Sequence, residues 1–287
     1  MRKIRNNTKI EAKKSLGQNF LRDPKILKKI VDFAKIEKED TVLEVGPGEG
    51  ALTKFLLERA TRVVAIEKDG LLAEKLKEKF ESEIKSEKLE VVVGDILNYD
   101  LLPTNYKLIG NIPYYITGAI FKKFLESENK PFDSAQGKPK SICFVVQKEV
   151  AERIMARDEK ESILSISIKI FGKPEFGGVI KAGSFFPKPK VDSAIIAIRG
   201  ITPITPPNPP LGKGREDQRD FEKRFFEILK AGFAHKRKFL IKNLVSSKLS
   251  RPGINSLMEI FKKCGIPEKA RAEDLKVDDW LCLAREL

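Results

Sequence analysis

Four consecutive residues, Asn111-Ile112-Pro113-Tyr114, carry the side chains in this chain that are best suited to chemistry. They follow the short apolar segment 106–110, which predicts a buried parallel strand. Ligands of open α/β sheets bind beyond the carboxyl ends of the strands. There the Asn111 side-chain oxygen and a backbone carbonyl beside Pro113 would offer two acceptors to one small amine. The ring of Tyr114 can stack on a flat heterocycle, so this corner suits the exocyclic amine of a base.

A glycine-rich turn supplies a second candidate site. Residues 42–50 read V-L-E-V-G-P-G-E-G, a predicted strand that runs into a turn and opens a helix. Glycines permit the tight turn and a close approach of the backbone to a ligand. Glu67 ends the next predicted strand, where an acidic residue can accept both hydroxyls of a ribose. Asp95 ends the third, where it can accept from an adenine amine. These features suit an adenosine-bearing cofactor.

A dinucleotide-dependent dehydrogenase is an alternative for this segment, because Gly46, Gly48 and Ala51 fill the relaxed dinucleotide-binding pattern. Glu44 and Pro47 make the turn acidic and stiff, which disfavours a pyrophosphate. An acidic turn suits a cofactor that carries an amino group and a sulfonium. The chain also lacks the acid–base histidine common in hydride-transfer enzymes, so we favour a methyl donor.

Strands and helices alternate along the chain, which predicts a parallel sheet with helices on both faces. The predicted strands are 41–45, 62–67, 89–94, 106–110 and 141–147, and two closing strands cover 176–182 and 191–199. Asp23 and Pro24 predict the start of an early helix. Residues 162–171 fit a helix or a strand, and we favour a helix.

Two stretches rich in Pro, Gly and Lys, 127–140 and 202–218, predict exposed insertions. The second predicts a linker between a first domain over 1–201, with a basic arm over 1–20, and a helical RNA-binding domain over 219–287.

The net charge of +14 indicates a polyanionic partner, either nucleic acid or an acidic membrane surface. No apolar run approaches the roughly 18 residues of a membrane span, so we expect no membrane partner. The single histidine, His235, excludes a histidine triad or a histidine-rich metal site. Cys143, Cys264 and Cys282 match no zinc or disulfide spacing. We therefore expect no metal, and buried free thiols in a reducing cytoplasm.

Four motifs occur together, and with them the chain closely resembles the KsgA (RsmA) family of ribosomal RNA adenine N6-dimethyltransferases. The motifs occupy 14–21 (K-S-L-G-Q-N-F-L), 44–50, 111–114 and 185–193 (F-F-P-K-P-K-V-D-S). The resemblance implies a Rossmann-like class I methyltransferase sheet of seven strands, the last antiparallel, with a small C-terminal all-α domain. It also implies S-adenosylmethionine as the cofactor. Ile112 departs from the commoner leucine, at a position that contributes only packing.

The matched motifs imply site residues. The cofactor would be bound by Asn19, Leu21, Gly46, Gly48, Glu67, Asp95 and Asn111. The target adenine would be held by Asn111, Pro113 and Tyr114, with Phe185 on its other face. Basic runs are usually only solvated surface, but the overall charge favours RNA contacts at Arg2, Lys3, Lys13, Lys14, Lys236, Arg237 and Lys238.

The function expected from the resemblance is dimethylation of two adjacent adenines in a hairpin of small-subunit (16S) ribosomal RNA. The partner would be that RNA or a 30S assembly intermediate, met by a monomer in the cytoplasm. The alternatives are a 23S methylase of the erythromycin-resistance type and a non-catalytic rRNA-binding assembly factor.

Overall fold

A computed structural model describes residue 13 and residues 16–99, 102, 105–126, 137–204, 215–247 and 253–287. Seven strands form the main sheet: β2 (Thr41–Val45), β3 (Arg62–Glu67), β4 (Leu89–Val93), β5 (Lys107–Asn111), β6 (Ser141–Gln147), β7 (Lys173–Ile180) and β9 (Ser193–Arg199). Two further strands, β1 (Phe20–Leu21) and β8 (Phe185–Phe186), pair with each other. The N-terminal segment is thereby joined to the chain that precedes the last strand.

The strand order in the main sheet is β4-β3-β2-β5-β6-β9-β7. Neighbouring strands from β4 to β6 are parallel, whereas β9 is antiparallel to both β6 and β7. The predicted fold class, seven strands with the last antiparallel, is confirmed. The chain runs outward from β2 in one direction and from β5 in the other, so these two strands mark the switch point at which α/β sheets bind ligands.

In the described part of the chain, seven α-helices accompany the sheet: α1 (Pro24–Ala34), α2 (Ala51–Leu57), α3 (Gly70–Lys79), α4 (Glu81–Lys85), α5 (Thr117–Leu125), α6 (Lys148–Met155) and α7 (Ile163–Lys169). The Asp23 carboxylate accepts from the Lys25 amide at 2.9 Å, which confirms the predicted start of α1. α7 confirms the helix favoured for the ambiguous segment. Its first turn is fixed because the Ser162 hydroxyl accepts from the Ser165 amide at 3.1 Å.

The C-terminal part contributes α8 (Arg215–Gly232), α9 (Leu240–Val245), α10 (Ile254–Lys263) and α11 (Val277–Glu286). One apolar core runs from the sheet into these helices, and Phe171 stacks on Phe226 with ring centroids 6.1 Å apart. α8 begins inside the stretch predicted as a linker. The division into domains at 201 and 219 stays a prediction. No helix in the described part of the chain is long and apolar enough to cross a membrane.

The prediction of exposed insertions is wrong at two points. Residues 137–139 are buried, because the Tyr106 hydroxyl donates to the Gly137 carbonyl at 3.0 Å and the Lys138 ammonium lies 4.5 Å from the centre of the Phe171 ring. Ile204 is also buried in the main core. Proline and glycine content signals irregular backbone but does not say which face of it the core will cover. Residues 127–136 and 205–214 lie outside the described part.

The prediction of three separate thiols is wrong for two of them. Cys264, at the end of α10, is disulfide-bonded to Cys282 in α11, with Cα atoms 5.8 Å apart. A separation of 18 residues carries no disulfide signal, and only the packing of the two helices brings these cysteines together. Cys143 remains a buried free thiol, and burial raises its pKa to about 12.

We predict that Cys282→Ser lowers the free energy of unfolding by about 2–4 kcal/mol under oxidising conditions, because the crosslink no longer restricts the unfolded chain. Chemical denaturation with and without a thiol reductant measures the effect. Reductant should remove most of the difference between the wild type and the variant. Equal stability of the two proteins under oxidising conditions would contradict the prediction.

Candidate active site

A cavity of about 1140 Å³, counted to its open mouth, lies at the carboxyl ends of β2, β3 and β5. Residues 16–21 border it on one side, and the loop after β4 borders it on another. Because these strands are parallel and adjacent, their ends meet at one edge of the sheet. The cavity therefore occupies the switch point.

The structure brings almost all of the predicted cofactor and adenine residues together around this cavity. Its lining includes Asn19, Leu21, Gly46, Gly48, Glu67, Asp95, Asn111, Pro113 and Tyr114. Phe185 is the exception: it is 5% exposed, packs in the apolar core beside α1 and does not line the cavity. Its neighbour Phe186 is 53% exposed.

The glycine-rich turn is shaped by positive backbone angles at Gly46 (φ 62°) and Gly48 (φ 58°), which side chains other than glycine disfavour. The Gly46 amide donates to the Ile66 carbonyl at 2.9 Å, so the turn is tied to β3. A Cβ at Gly48 would lie 3.0 Å from the ring of Phe20. The turn is thus a tight cradle closed by the N-terminal segment.

The Glu67 carboxylate is held by two backbone amides, Gly48 at 3.0 Å and Asp69 at 2.9 Å, one on each oxygen. Burial raises the pKa of Glu67, and the two amides oppose that rise. A carboxylate oxygen has more than one acceptor direction. Glu67 is therefore a fixed acceptor that can still bind a ligand hydroxyl.

Glu44 is a buried carboxyl in the wall of the same cavity, with 1% of its surface exposed. Within the described residues its Oε2 has no hydrogen-bond partner of good geometry, although the Thr53 hydroxyl is close enough to favour the ionised carboxylate. Burial raises the pKa of Glu44 to about 8, and the charge of Glu67 adds to the rise while Thr53 opposes it. A buried acceptor without a partner is costly unless a ligand satisfies it.

Asp95 lies in the loop that follows β4. Its carboxylate accepts from the Lys68 ammonium at 2.8 Å and from the Leu97 amide at 3.0 Å. Lys68 lowers the pKa of Asp95, and the Leu97 amide lowers it further. Asp95 is therefore ionised and oriented at the cavity wall. The Lys68 partner had no signal in the sequence.

Asn111 is the last residue of β5, and its Nδ2 donates to the Asn19 carbonyl at 2.8 Å. A backbone carbonyl only accepts, so the amide nitrogen must face Asn19 and the side-chain oxygen lies on the opposite side of the planar group. Asn19 is itself fixed, because its Nδ2 donates to the Gly17 carbonyl at 3.1 Å. The segment 17–19 thus sets the direction of the Asn111 acceptor.

The residues after Asn111 form a short 3-10 turn. The Pro113 carbonyl accepts from the Ile116 amide at 3.2 Å, and the Tyr114 carbonyl accepts from the Thr117 hydroxyl at 3.0 Å. The Tyr114 hydroxyl forms a hydrogen bond of 2.8 Å with Ser193 at the start of β9. Burial raises the pKa of Tyr114, so its hydroxyl stays neutral and its ring is anchored at the cavity wall.

The predicted RNA-binding residues fall into separate groups. Lys236, Arg237 and Lys238 are exposed in the turn between α8 and α9, which we call the basic turn (234–238). The Lys13 ammonium is instead paired with Asp69 at 2.8 Å. Arg2, Lys3 and Lys14 lie outside the described residues. No group of three or more metal-ligating side chains occurs in the described ranges.

A sequence profile described as "Ribosomal RNA adenine dimethylase" matches residues 9–287, nearly the whole chain. The chain belongs to the ribosomal RNA adenine dimethylase family. The resemblance carried by the four motifs is thereby confirmed, and the dehydrogenase alternative is removed.

Similar proteins agree with this membership. The chain is 39% identical to "Ribosomal RNA small subunit methyltransferase A" of Dehalococcoides mccartyi, across 96% of this chain and 88% of that protein. It is 36% identical to the protein of the same name in Fusobacterium nucleatum, across 95% of this chain and 96% of that protein.

Two solved structures have the same overall architecture. The 23S rRNA methyltransferase ErmE aligns with a TM-score of 0.70 at 29% identity, covering 94% of this chain and 99% of ErmE. A dimethyladenosine transferase from Plasmodium falciparum aligns with a TM-score of 0.70 at 27% identity, covering 92% of this chain and 95% of the other.

We predict that Glu44→Gln becomes more stabilising, relative to the wild type, as the pH rises from 4.5 to 8. Below pH 4.5 the carboxyl is protonated in both the folded and unfolded states. Between the ordinary pKa of 4.5 and the folded pKa of about 8, only the unfolded state loses the proton, so wild-type stability falls across that window.

Urea denaturation at pH 5 and pH 9 should show the difference in unfolding free energy, variant minus wild type, increasing by roughly 3–5 kcal/mol. Glu81→Gln, at an exposed position in α4, is the matched control. If the difference in unfolding free energy is the same at both pH values, the pKa of Glu44 is not raised in the folded protein.

Proposed function

We propose that this protein transfers methyl groups to N6 of two adjacent adenines in a hairpin of small-subunit (16S) ribosomal RNA during ribosome biogenesis. The coarser activity, dimethylation of ribosomal RNA adenine with S-adenosylmethionine, follows from its family and its class I methyltransferase sheet. The observation that carries the proposal is the hydrogen bond from Asn111 to the Asn19 carbonyl, which directs the Asn111 side-chain oxygen away from Asn19 and leaves it available to the proposed amine.

The cavity fits S-adenosylmethionine, which when bound supplies an electrophilic methyl group on a positively charged sulfur. Glu44 offers a buried carboxyl whose Oε2 has no hydrogen-bond partner of good geometry among the described residues, and a cationic ligand would favour its ionised form. Glu67 offers a fixed carboxylate for ribose hydroxyls, and Asp95 an ionised one for an adenine amine. Gly46 and Gly48 let the backbone approach the ligand closely. Asn19 and Leu21 complete the proposed set from the opposite wall.

The proposed chemistry rests on two acceptors for one amine. The N6 lone pair of adenine is delocalised into the ring, which makes it a poor nucleophile. The Asn111 oxygen and a backbone carbonyl at Pro113 would bind the two amine hydrogens and favour a tetrahedral nitrogen with its lone pair facing the methyl group. The Pro113 carbonyl already accepts one amide, but a carbonyl oxygen has two lone pairs. Alignment supplies most of the acceleration. No general base is needed before attack, because the N6 proton would become acidic, and be lost to solvent, only once the nitrogen carries the methyl group whose bond to sulfur has broken.

Tyr114 is proposed to stack on the flipped adenine, in place of the stacking lost from the RNA. Its hydrogen bond to Ser193 supports this, because it fixes the ring at the cavity wall. Phe185 was assigned to the other face of the base. In this structure Phe185 is paired with Leu21 across the two-stranded sheet, and its ring is buried. It can therefore contact a base only if β8 moves.

The small ribosomal subunit is proposed as the target because the curated relatives are named for it and are more similar to this chain than ErmE is. The 23S alternative is correspondingly weaker. A non-catalytic assembly factor would not need the aligned acceptors and buried carboxyls of the cavity. We further propose a 30S assembly intermediate as the partner, and a monomer acting in the cytoplasm, where that partner forms.

The direct test incubates the protein with a labelled methyl donor and unmethylated small ribosomal subunits, then digests the RNA to nucleosides. We expect dimethyladenosine as the labelled product, at two adjacent positions. Label in large-subunit RNA alone would favour the 23S alternative, and no label in either RNA would favour the assembly factor.

We predict that Asn111→Ala lowers turnover at least about a hundredfold, because the amine loses one of its two acceptors and its alignment. Circular dichroism should show an unchanged fold. Asn98→Ala, at an exposed position after β4, is the matched control and should retain activity. Near-normal turnover of the Asn111 variant would remove the proposed mechanism.

We predict that replacing Lys236, Arg237 and Lys238 together by glutamine weakens binding of a small-subunit rRNA transcript and flattens its salt dependence. The slope of log affinity against log salt should fall in magnitude by about 2–3, which corresponds to three lost phosphate contacts. The control replaces three exposed lysines of the sheet region, Lys28, Lys38 and Lys85. Equal slopes for the two triple variants would show that the basic turn does not bind phosphates.

A further inference from the structure

Two exposed aromatic rings lie in or next to the cavity wall: Tyr115 is part of the lining, and Phe186 is paired across the two-stranded sheet with the lining residue Phe20. Tyr115 is 61% exposed and Phe186 is 53% exposed, and among the large apolar side chains that the described ranges leave exposed, these are the aromatic ones. The other exposed members of that group are aliphatic and include Leu71, Val93 and Ile254. Aromatic exposure is therefore concentrated beside the site and is not a general property of this surface.

Tyr115 follows Tyr114 directly and forms part of the cavity lining. Its ring lies beside the backbone of Gly17, because a Cβ placed on Gly17 would be 3.4 Å from the ring atom Cε1 and 3.6 Å from the Pro113 Cβ. Gly17 has a φ of 61°, so the position favours glycine for its backbone as well. The ring is fixed at the mouth, and most of its surface faces solvent.

Phe186 points outward because side chains alternate along a strand, and its neighbour Phe185 is buried. Its partner across the two-stranded sheet is Phe20, which lines the cavity. The Arg22 guanidinium lies 5.2 Å from the centre of the Phe186 ring. Arg22 is fixed in turn by two hydrogen bonds to the Glu49 carboxylate, at 2.7 and 2.6 Å. The ring therefore has one face against Arg22, whose partner Glu49 lines the cavity.

The rings of Tyr115 and Phe186 are suited to stacking on the bases of single-stranded RNA. Turning one base out of an RNA strand also removes stacking from the bases beside it. Aromatic side chains restore such stacking with little dependence on base identity. Both rings adjoin residues that line the cavity proposed to take the adenine. The net charge of +14 favours a polyanionic partner over an uncharged protein surface.

We propose that Tyr115 and Phe186 stack on the nucleotides that flank the target adenine and so hold the RNA strand across the mouth of the cavity. The inference rests on the proposed function and deepens it by naming two substrate-positioning residues. Stacking needs a flat π face, whereas simple apolar burial does not. Aromatic and aliphatic replacements at these positions therefore separate the two roles.

The first test compares Phe186→Leu with Phe186→Trp, and Tyr115→Leu with Tyr115→Phe, using unmethylated small ribosomal subunits and a labelled methyl donor. Each leucine variant should lose about tenfold in kcat/KM for the RNA, the order expected for one base–aromatic stack. The aromatic variants should remain within about twofold of the wild type. The affinity of the Phe186 variants for the methyl donor, measured by calorimetry, should not change. Ile254→Ala, an exposed apolar position in α10, is the control for nonspecific loss of surface.

The second test uses fluorescence and does not depend on turnover. The natural chain has one tryptophan, Trp280, which is buried in the helical part, so Phe186→Trp adds a reporter at the rim. Adding an unmethylated small-subunit rRNA transcript should quench the added emission, while wild-type emission should change little.

Equal kcat/KM for the leucine and aromatic variants would overturn the inference, as would emission from the added tryptophan that RNA leaves unchanged. Failure of the wild type to methylate any RNA would instead contradict the proposed function. The fluorescence would then still decide whether Phe186 meets a base.

Discussion

The hydrogen bond from Asn111 to the Asn19 carbonyl is the contact on which the geometry of the cavity depends. β5 is paired on both sides, with β2 and β6, so its backbone cannot shift at the point where Asn111 leaves the sheet. The remaining freedom is rotation of the amide, and Asn19 removes it. The same segment packs Phe20 against Gly48 of the glycine-rich turn. One N-terminal segment therefore fixes the proposed acceptor for the base and closes the proposed cradle for the cofactor.

Two buried carboxyls, Glu44 and Glu67, lie close together in the cavity wall, and the protein does not fully compensate the cost of burying them. Glu67 is held by backbone amides, whereas the Oε2 atom of Glu44 has no hydrogen-bond partner in the described part of the chain. Their proximity raises the pKa of Glu44 further. Such an arrangement costs stability in the free protein, and a bound cation relieves the cost. The site is therefore better adapted to its ligand than to the folded state alone.

The sequence predicted the features that depend on hydrophobic periodicity and on the order of strands and helices along the chain. Alternating strands and helices gave the sheet, and the ends of parallel strands gave the cluster of Glu67, Asp95 and Asn111, because those ends share one edge. The predictions from sequence failed where the outcome depends on how side chains and helices pack in three dimensions. Cys264 and Cys282 meet only because two helices lie side by side. Phe185 and Phe186 are adjacent and chemically identical, yet one ring is buried and the other exposed, because successive side chains of a strand point to opposite faces.

The basic turn shows how a distant surface can be as well fixed as the cavity. Asn243 donates to the carbonyls of Gly232 and His235, at 2.6 and 3.1 Å, and so clamps both sides of the turn. Trp280 packs so closely on Gly232 that a Cβ there would lie 2.4 Å from its ring. Trp280 belongs to α11, the helix that the disulfide joins to α10. Phosphate contacts made by a rigid turn restrict the orientation of a bound strand as well as adding affinity. If the basic turn binds phosphates as proposed, the apolar core shared by these helices and the sheet would keep the bound strand oriented relative to the cavity, where the proposed amine would meet its two acceptors.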